Sequence, residues 1–234
     1  MGKKKLSRFK ELQTLGVFQP SFEEVFQTDF HRKGNWCRDQ FNNQGPLILE
    51  LGCGKGEYTV GLARLNAEKN YVGLDIKGAR IWTGAKAAVD EGLGNVSFIR
   101  TRIDFIGSFF AKDEVDELWV TFPDPQEKTR RRKKRLTGAN FLNKYRQFLK
   151  DGGLVHLKTD NRSLYSDTLA LVRYNGLTVE RFSDDIYNEG WSDEIVSIQT
   201  YYEKQFLAQG MPINYLSFQL PAYKEISEMP DEIE

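Results

Sequence analysis

The feature that most constrains the fold is a regular alternation, from Pro46 onward, of short apolar runs with segments of helical periodicity. Strand-length apolar runs occur at 47–51, 71–74, 96–99, 117–122, 153–158, 177–182 and 213–218. Helical spacing occurs between them, at 58–68, 79–89, 139–149, 164–174 and 197–208. This pattern predicts a doubly wound, mostly parallel α/β sheet of seven strands with helices on both faces. Ligands bind such sheets beyond the carboxyl ends of the strands, so the residues that follow each strand are the candidates for a site.

The residues before Pro46 are predicted to form an N-terminal arm. Ser21 and Glu24 have the spacing of a capping box, and Phe22, Phe26 and Phe30 recur every four residues. The arm is therefore predicted to contain a short amphipathic helix whose Phe stripe packs against the rest of the protein. The domain prediction is an arm at 1–45, an α/β domain at 46–220 and an acidic tail at 221–234.

Composition places the chain among ordinary globular proteins, with 40% hydrophobic and 28% charged residues. No apolar run approaches the roughly 20 residues of a membrane helix, so no membrane contact is expected. Cys37 and Cys53 are predicted to be free thiols in a reducing cytoplasm. Basic and acidic residues are equal, at 33 each, which excludes blanket binding to nucleic acid but not a local basic patch. Both a monomer and a homodimer fit the sequence.

A glycine turn, Gly52-x-Gly54-x-Gly56, follows the first strand, and Asp75 ends the second. Glycines let the backbone approach a ligand, and an acid at the second strand accepts hydrogen bonds from ribose hydroxyls. The spacing is not the GxGxxG pattern of pyrophosphate sites, and the carboxylate of Glu50 would repel a pyrophosphate. The same carboxylate would attract an ammonium and a sulfonium. The pattern therefore predicts S-adenosyl-L-methionine as the cofactor, bound by Glu50, Gly52, Gly54 and Asp75.

Arg102 and Asp104 follow the third strand, where this fold places the adenine ring. Asp104 could accept a hydrogen bond from the exocyclic amine, and Arg102 could contribute its backbone N–H. The sequence leaves open which of the two contacts the adenine.

The fourth strand ends in Pro123-Asp124-Pro125, and Lys128 begins the basic run Lys128–Arg135. The prolines stiffen the turn around Asp124 at the binding edge of the sheet. Seven like charges in eight residues repel one another and predict a contact with RNA phosphates, with a solvated loop as the alternative. Lys3–Lys5 is a second candidate phosphate contact.

The sequence Phe122-Pro123-Asp124-Pro125-x-x-Lys128, followed by Arg135-Leu136-Thr137, resembles the signature of bacterial tRNA (guanine-N7)-methyltransferases. Further motifs of the same family occur in the same order at Glu50–Gly54, Lys158–Asn161, Thr200–Glu203 and Gly210–Ile213. The resemblance extends over about residues 46 to 218. Arg102 departs from it, because many members carry an acid there, and so does Gln126-Glu127, which replaces a pair that begins with an aromatic residue.

The resemblance implies a class I, Rossmann-like methyltransferase with an antiparallel last strand, which methylates N7 of guanine 46 in the tRNA variable loop. It assigns Glu50, Asp75 and Asp124 to the cofactor. It assigns to the substrate Lys128, Asp160, Thr200, Tyr201, Tyr202 and Glu203. Thr200 and Glu203 also have the spacing of a helix capping box, which is the alternative interpretation of that pair.

Guanine N7 carries no proton in the neutral base, so its methylation needs alignment and charge stabilisation rather than a general base. Asp124 and Asp160 are the predicted catalytic residues, because they could accept hydrogen bonds from guanine N1–H and N2–H₂. No metal site is predicted. His156 lies within a strand and is expected to be a core residue.

Other functions remain compatible with parts of the pattern. The methyl acceptor could be ribosomal RNA, a protein or a small amine. An NAD(P)-dependent oxidoreductase fits the glycine turn but not Glu50 or the glycine spacing. A non-catalytic RNA-binding module would keep the fold without the cofactor acids.

Overall fold

A computed structural model describes residues 2–230 of the chain. Its strands form one sheet with the order β3-β2-β1-β4-β5-β7-β6. They are β1 (Leu47–Leu51), β2 (Asn70–Asp75), β3 (Val96–Arg100), β4 (Val115–Thr121), β5 (Leu149–Thr159), β6 (Val179–Ser183) and β7 (Asn214–Leu220). The first five pair in parallel, whereas β7 runs antiparallel to both β5 and β6. The predicted seven-stranded sheet with an antiparallel last strand is confirmed.

Helices pack around this sheet. They are α1 (Gly2–Glu11), α2 (Phe22–Phe26), α3 (Glu57–Leu65), α4 (Gly78–Asp90), α5 (Ala139–Tyr145), α6 (Arg162–Tyr174), α7 (Glu194–Ser197) and α8 (Tyr201–Ala208). Every residue of β1 is buried. Leu47, Leu49 and Leu51 belong to one core cluster and Ile48 to another, because successive side chains of a strand point to opposite faces. Burial on both faces explains why this strand is apolar without interruption.

Several predicted boundaries were wrong, and three of the differences matter for the site. The helix expected at 139–149 ends at Tyr145, and β5 begins at Leu149, four residues before the predicted start of that strand at Gly153. The helix expected at 197–208 begins only at Tyr201 as α8, and a separate short helix, α7, ends at Ser197. Thr200 has extended backbone angles and caps α8, so the chain cannot continue as helix through this position.

The Phe stripe of the N-terminal segment is divided between the core and the surface. The capping box of Ser21 and Glu24 is present and starts α2. Phe30 lies beyond this helix and is buried, as predicted. Phe22 and Phe26 are 68% and 54% exposed, and their rings stack on each other with centroids 4.2 Å apart. Phe26 also contacts the ring of Phe105 edge-on, with centroids 4.6 Å apart, so it packs against the protein in part, whereas Phe22 is mostly exposed.

The rest of the N-terminal segment contributes to the cores of the α/β domain. Leu12 is buried against α4, and the backbone of Phe18 pairs with Ile99 beside β3. Trp36 is buried, and its Nε1 donates to the carbonyl of Phe109 at 2.9 Å. The side chains of Lys3–Lys5 lie outside the described part of the structure. The segment is thus folded against the sheet over most of its length.

The C-terminal segment returns to the domain as well. Ile226 is buried, and its carbonyl accepts a hydrogen bond from Asn143 at 2.8 Å. Residues 231–234 of the predicted acidic tail lie outside the described residues. Cys37 and Cys53 are free thiols. Between residues 2 and 230, no helix has both the length and the apolar character needed to cross a bilayer.

Candidate active site

The three glycines of the turn after β1 have left-handed backbone angles, but the space around them differs. The φ angles of Gly52, Gly54 and Gly56 are 76°, 56° and 69°. A Cβ at Gly52 or Gly54 would have no neighbour closer than 3.9 Å, so these two positions leave open space above the backbone. A Cβ at Gly56 would lie 2.7 Å from the ring of Phe98. The first two glycines therefore form an open cradle, while the third allows the turn to pack onto the protein.

Asp75 fixes the glycine turn to the end of β2. One carboxylate oxygen accepts the backbone N–H of Gly54 at 2.9 Å, and the other accepts that of Lys77 at 2.7 Å. The side chain is 9% exposed. Each oxygen keeps a free lone pair, so Asp75 can still accept hydrogen bonds from a ribose at this edge.

Glu50 lies beneath the glycine turn, with 3% of its surface exposed. Its carboxylate accepts hydrogen bonds from the backbone N–H and hydroxyl of Thr59 and, at 2.5 Å, from the hydroxyl of Thr121. These bonds join β1 to β4 and to the first turn of α3. Burial raises the pKa of Glu50 to about 7, because the hydrogen bonds compensate only partly for the loss of water. The carboxyl group is thus close to its midpoint at neutral pH.

Arg102 and Asp104 lie just beyond β3 and form an ion pair, with Nη2 and Oδ2 3.0 Å apart. Both side chains are exposed. The pair lies at the predicted adenine edge, and each side chain is partly engaged by the other.

The turn after β4 presents Asp124 on a strained backbone. Phe122 and Gln126 on either side have φ angles of 47° and 48°, which are rare for residues with a side chain. Asp124 is exposed, and its Oδ1 accepts the N–H of Gln126 at 3.1 Å. Phe122 donates its N–H to the carbonyl of Lys158 on β5 at 2.8 Å. Strain of this kind clusters at functional sites, where it holds a side chain in a defined place.

Asp160 follows β5 and is partly buried. Burial raises the pKa of this carboxyl group. The next residue, Asn161, caps α6 through the N–H of Leu164 and donates to Glu127 at 3.2 Å. Because β4 and β5 are parallel neighbours, Asp124 and Asp160 lie at the same edge of the sheet.

The basic run forms a short 3-10 helix over Thr129–Lys134. Lys128 and the charged residues from Arg130 to Lys134 are exposed. Arg135 is different, because it is buried and bonded inside the protein. It donates to the carbonyl of Pro125 at 2.9 Å and pairs with Asp167 on α6 at 2.5 Å. Arg135 thus supports the Asp124 turn and is not a free cation for RNA, which corrects the predicted extent of the basic surface.

The Thr200–Glu203 segment contains both buried and exposed side chains. Thr200 and Glu203 form a complete capping box at the start of α8. Glu203 has no exposed surface. Tyr201 and Tyr202 are 47% and 43% exposed. The capping-box interpretation is confirmed, and the predicted contact of Glu203 with the substrate is wrong, because this side chain is fully buried. Tyr201 and Tyr202 are the members of this segment that can reach a ligand.

Sequence reasoning missed residues that join this segment to the glycine turn. Lys55 Nζ lies 3.8 Å from the centre of the Tyr201 ring, and Glu57 accepts the N–H of Tyr201 at 3.1 Å. Lys158 is fully buried and pairs with Glu203 at 2.7 Å. A lysine at the end of the predicted strand 153–158, directly after Leu157, was the available signal.

His156 packs inside the sheet. Its ring stacks on Trp119 with centroids 3.9 Å apart, and Nδ1 lies 2.6 Å from the hydroxyl of Tyr215. The expectation of a core residue is confirmed. Among residues 2–230, no group of three or more His, Cys, Asp or Glu side chains could hold a metal ion.

The glycine turn after β1, the acid at the end of β2 and the acids that follow β4 and β5 lie at one edge of a sheet that has the class I methyltransferase fold. A family model described as "Putative methyltransferase" matches residues 44–216. Curated proteins named tRNA (guanine-N(7)-)-methyltransferase are similar over nearly the whole chain, and this chain belongs to that family.

One such relative, from Christiangramia forsetii, is 50% identical over 220 residues, which cover 93% of this chain and 98% of the relative. Another, from Bacteroides fragilis, is 45% identical over 235 residues, which cover 100% of this chain and 92% of the relative. A third, from Clostridium acetobutylicum, is 35% identical over 188 residues, which cover 80% of this chain and 87% of the relative.

Solved structures share the fold at much lower identity. The 16S rRNA methyltransferase KamB superposes with a TM-score of 0.61 at 15% identity, covering 83% of this chain and 95% of that one. A 16S rRNA (adenine(1408)-N(1))-methyltransferase from Catenulisporales acidiphilia, solved with the cosubstrate SAM, superposes with a TM-score of 0.53 at 15% identity. The superposition covers 80% of this chain and 91% of that one.

Proposed function

We propose that this protein transfers a methyl group from S-adenosyl-L-methionine to N7 of guanine 46 in the variable loop of tRNA. The observation that carries the proposal is the arrangement of one sheet edge. A cradle for a nucleoside cofactor lies at the ends of β1 and β2, and two acids, Asp124 and Asp160, follow the ends of the neighbouring strands β4 and β5. Family membership supports the reaction class. The exposed basic residues from Lys128 to Lys134 supply a surface for RNA.

The open backbone above Gly52 and Gly54 fits the methionine part of the cofactor, and Asp75 has free lone pairs for its ribose hydroxyls. The carboxylate of Glu50 beneath the turn supplies negative charge under the cationic group. Arg102 or Asp104 contacts the adenine. When bound, the cofactor supplies an electrophilic methyl group on a sulfonium.

The acceptor side needs no base. The lone pair of guanine N7 attacks the methyl carbon in line with the C–S bond, the N–C bond forms as the C–S bond breaks, and the sulfur leaves as a neutral thioether. The positive charge moves to the guanine ring. Asp124 and Asp160 accept hydrogen bonds from N1–H and N2–H₂, which selects guanine over adenine and stabilises this charge. Lys128, Tyr201 and Tyr202 contact the surrounding nucleotides.

The test is the position of the product. Unmodified tRNA is incubated with methyl-labelled S-adenosyl-L-methionine, and 7-methylguanine is located by borohydride reduction and aniline cleavage. We expect cleavage at position 46 of wild-type tRNA and none in a transcript with adenine at that position. Label in ribosomal RNA alone, or cleavage at another guanine, would reject the proposal. A nicotinamide cofactor is tested separately by calorimetry, where we expect no binding heat.

A further inference from the structure

A buried ionic cluster lies behind the proposed substrate segment. Lys158 and Glu203 are both fully buried, with Nζ and Oε1 2.7 Å apart. The same ammonium group donates to the backbone carbonyl of Ile195 and, at 3.2 Å, to that of Ile198. The hydroxyl of Tyr187 donates to Glu203 at 2.8 Å. Every proton of the ammonium group therefore has an acceptor within the protein.

Such a cluster is not explained by stability alone. A buried ion pair loses much of its attraction to desolvation, and an apolar pair of the same volume is often as stable. Burial lowers the pKa of Lys158, while the adjacent carboxylate of Glu203 opposes this shift. What the pair does provide is directional bonding, because one ammonium group binds a carboxylate and two carbonyls in a fixed geometry.

Lys158 connects three parts of the site. Its carbonyl accepts the N–H of Phe122, which begins the strained turn of Asp124. It precedes Asp160, which directly follows β5, by two residues. Its side chain bonds to Ile195 on α7, to Ile198 between the two helices and to Glu203 on α8, which together belong to the 195–203 segment. Lys158 therefore fixes the position of this segment relative to β5, the strand whose end also positions Asp124 and Asp160.

The far end of the segment faces the site. Tyr201 and Tyr202 are about half exposed, and Lys55 of the glycine turn lies against the ring of Tyr201. Ile198 packs so closely on α3 that a Cβ added at Gly61 would lie 2.7 Å from its Cγ2. The segment thus spans from the glycine turn to β5, the strand that Asp160 follows.

We propose that Lys158 is a positioning residue, whose buried bonds to Glu203, Ile195 and Ile198 hold the 195–203 segment so that Tyr201 and Tyr202 face the RNA. This inference rests on the proposed function for the identity of the ligand. Lys158 itself does not touch the substrate, because it has no exposed surface. The capping box starts α8 but does not place that helix against the sheet, which the ammonium group does.

The test uses the double variant Lys158→Met and Glu203→Gln. It removes both charges together, so neither is left buried and unpaired, and Gln can still complete a capping box. We expect KM for tRNA to rise about tenfold, while kcat per folded molecule and the Kd of the cofactor stay within about twofold. A purely structural pair would instead lower the folded fraction and leave KM unchanged.

A second Lys–Glu ion pair, which is partly exposed rather than fully buried, provides the control. Lys69 and Glu117 lie 2.9 Å apart at the opposite, amino edge of the sheet. The double variant Lys69→Met and Glu117→Gln should leave KM for tRNA at the wild-type value. Adding Tyr202→Ala to the Lys158–Glu203 variant should raise KM less than Tyr202→Ala raises it in the wild type, because both changes act through the same contact.

Native-state hydrogen exchange, measured without tRNA, decides the structural half of the inference. The amides of residues 195–203 should exchange about tenfold faster in the double variant, with the rest of the sheet unchanged. If the double variant does not fold, Glu203→Gln alone is measured in the same way. Unchanged exchange in this segment, or unchanged KM with a lower kcat, would overturn the inference. If the wild type fails to methylate tRNA, the proposed function fails, but the exchange result still stands.

Discussion

Glu50 is a carboxyl group that folding buries and hydrogen bonds stabilise only in part. Its pKa rises from the usual 4.5 to about 7, so a large fraction of the free protein carries this group protonated at neutral pH. A cationic cofactor above the turn would favour the carboxylate form. Cofactor binding should therefore be coupled to loss of a proton from this single side chain.

We predict that the affinity for S-adenosyl-L-methionine rises between pH 6 and pH 8 and that binding near pH 7 releases a proton. Calorimetry in buffers of different ionisation enthalpy measures the release directly. Glu50→Gln should abolish the release and weaken binding by about tenfold. Glu68→Gln, an exposed change at the amino edge of the sheet, is the control. Equal proton release by wild type and Glu50→Gln would show that another group titrates.

The same residue predicts how stability depends on pH. The folded state binds more protons than the unfolded state between about pH 4.5 and pH 7, because the folded pKa is the higher one. The contribution of Glu50 to the free energy of unfolding therefore falls by about 3 kcal/mol in all as pH rises through this window. Above the window this contribution is constant. Urea unfolding at several pH values should show this slope in the wild type but not in Glu50→Gln.

Asp160 is the residue on which the acceptor proposal depends most. It is partly buried, and burial raises its pKa, so a hydrogen-bonded guanine would stabilise the carboxylate. We predict that Asp160→Asn lowers kcat/KM for tRNA by about 100-fold, because an amide can accept only one of the bonds and brings no charge. Cofactor affinity should not change. Asp90→Asn on α4 is the control, and full turnover with unchanged tRNA affinity in Asp160→Asn would remove this role.

At the scale of elements, the close approach of α4 to the glycine turn requires a glycine at position 84 of the helix. A Cβ at Gly84 would lie 2.7 Å from the carbonyl oxygen of Lys55 and 2.9 Å from the Cα of Gly56. Both are backbone atoms of the turn and cannot rotate away. The position of the cofactor cradle is therefore set by helix packing as well as by its own glycines.

We predict that Gly84→Ala raises the Kd of the cofactor by about tenfold and destabilises the protein by about 1–3 kcal/mol. The gain in helix propensity, about 1 kcal/mol, acts in the opposite direction and is too small to compensate for the clash. Gly107→Ala is the matched control, because a Cβ there has nothing within 4 Å. Calorimetry and thermal unfolding compare the two. Unchanged cofactor affinity in Gly84→Ala would mean that the turn is set by its own backbone alone.

The elements that the sequence predicted well are those whose pattern depends on local burial. The limits predicted for β1 match the structure, because both its faces are buried and a glycine turn ends it. The start of β5 was missed, because Asp151, Gly152 and Gly153 interrupt its apolar pattern, whereas the strand begins at Leu149 and shifts its register against β4 over these residues. The break before α8 was missed, although Thr200 and Glu203 had already been recognised as a possible cap.

At the scale of the whole molecule, the shared sheet edge of Glu50, Asp75, Asp124 and Asp160 followed from topology, since parallel strands end at one edge. The pairing of Lys158 with Glu203 did not follow. The two residues are far apart in sequence, and their contact depends on how α7 and α8 return to β5, which no local pattern encodes. The internal use of Arg135 was missed for the same reason, because its partner Asp167 lies on another helix.

We expect the distribution of charge in this protein, rather than its sum, to govern the binding of tRNA. Basic and acidic residues are equal in number, yet five successive cations from Arg130 to Lys134 are exposed beside the Asp124 turn. Each phosphate contact releases counterions, so a binding constant that depends on this segment must fall steeply with salt. Arg135 is excluded from this group because it is bonded inside the protein.

We therefore predict that Gln at Arg130, Arg131 and Arg132 together weakens tRNA binding at low salt and flattens the slope of log K against log salt by roughly 2–3. Cofactor affinity and unfolding should not change, since these side chains are exposed. Gln at Lys69, Lys112 and Lys150 removes the same charge from the amino edge of the sheet and is the control. A slope that falls equally in both variants would mean that tRNA senses only net charge. A slope unchanged in the arginine variant would mean that the segment is a solvated loop.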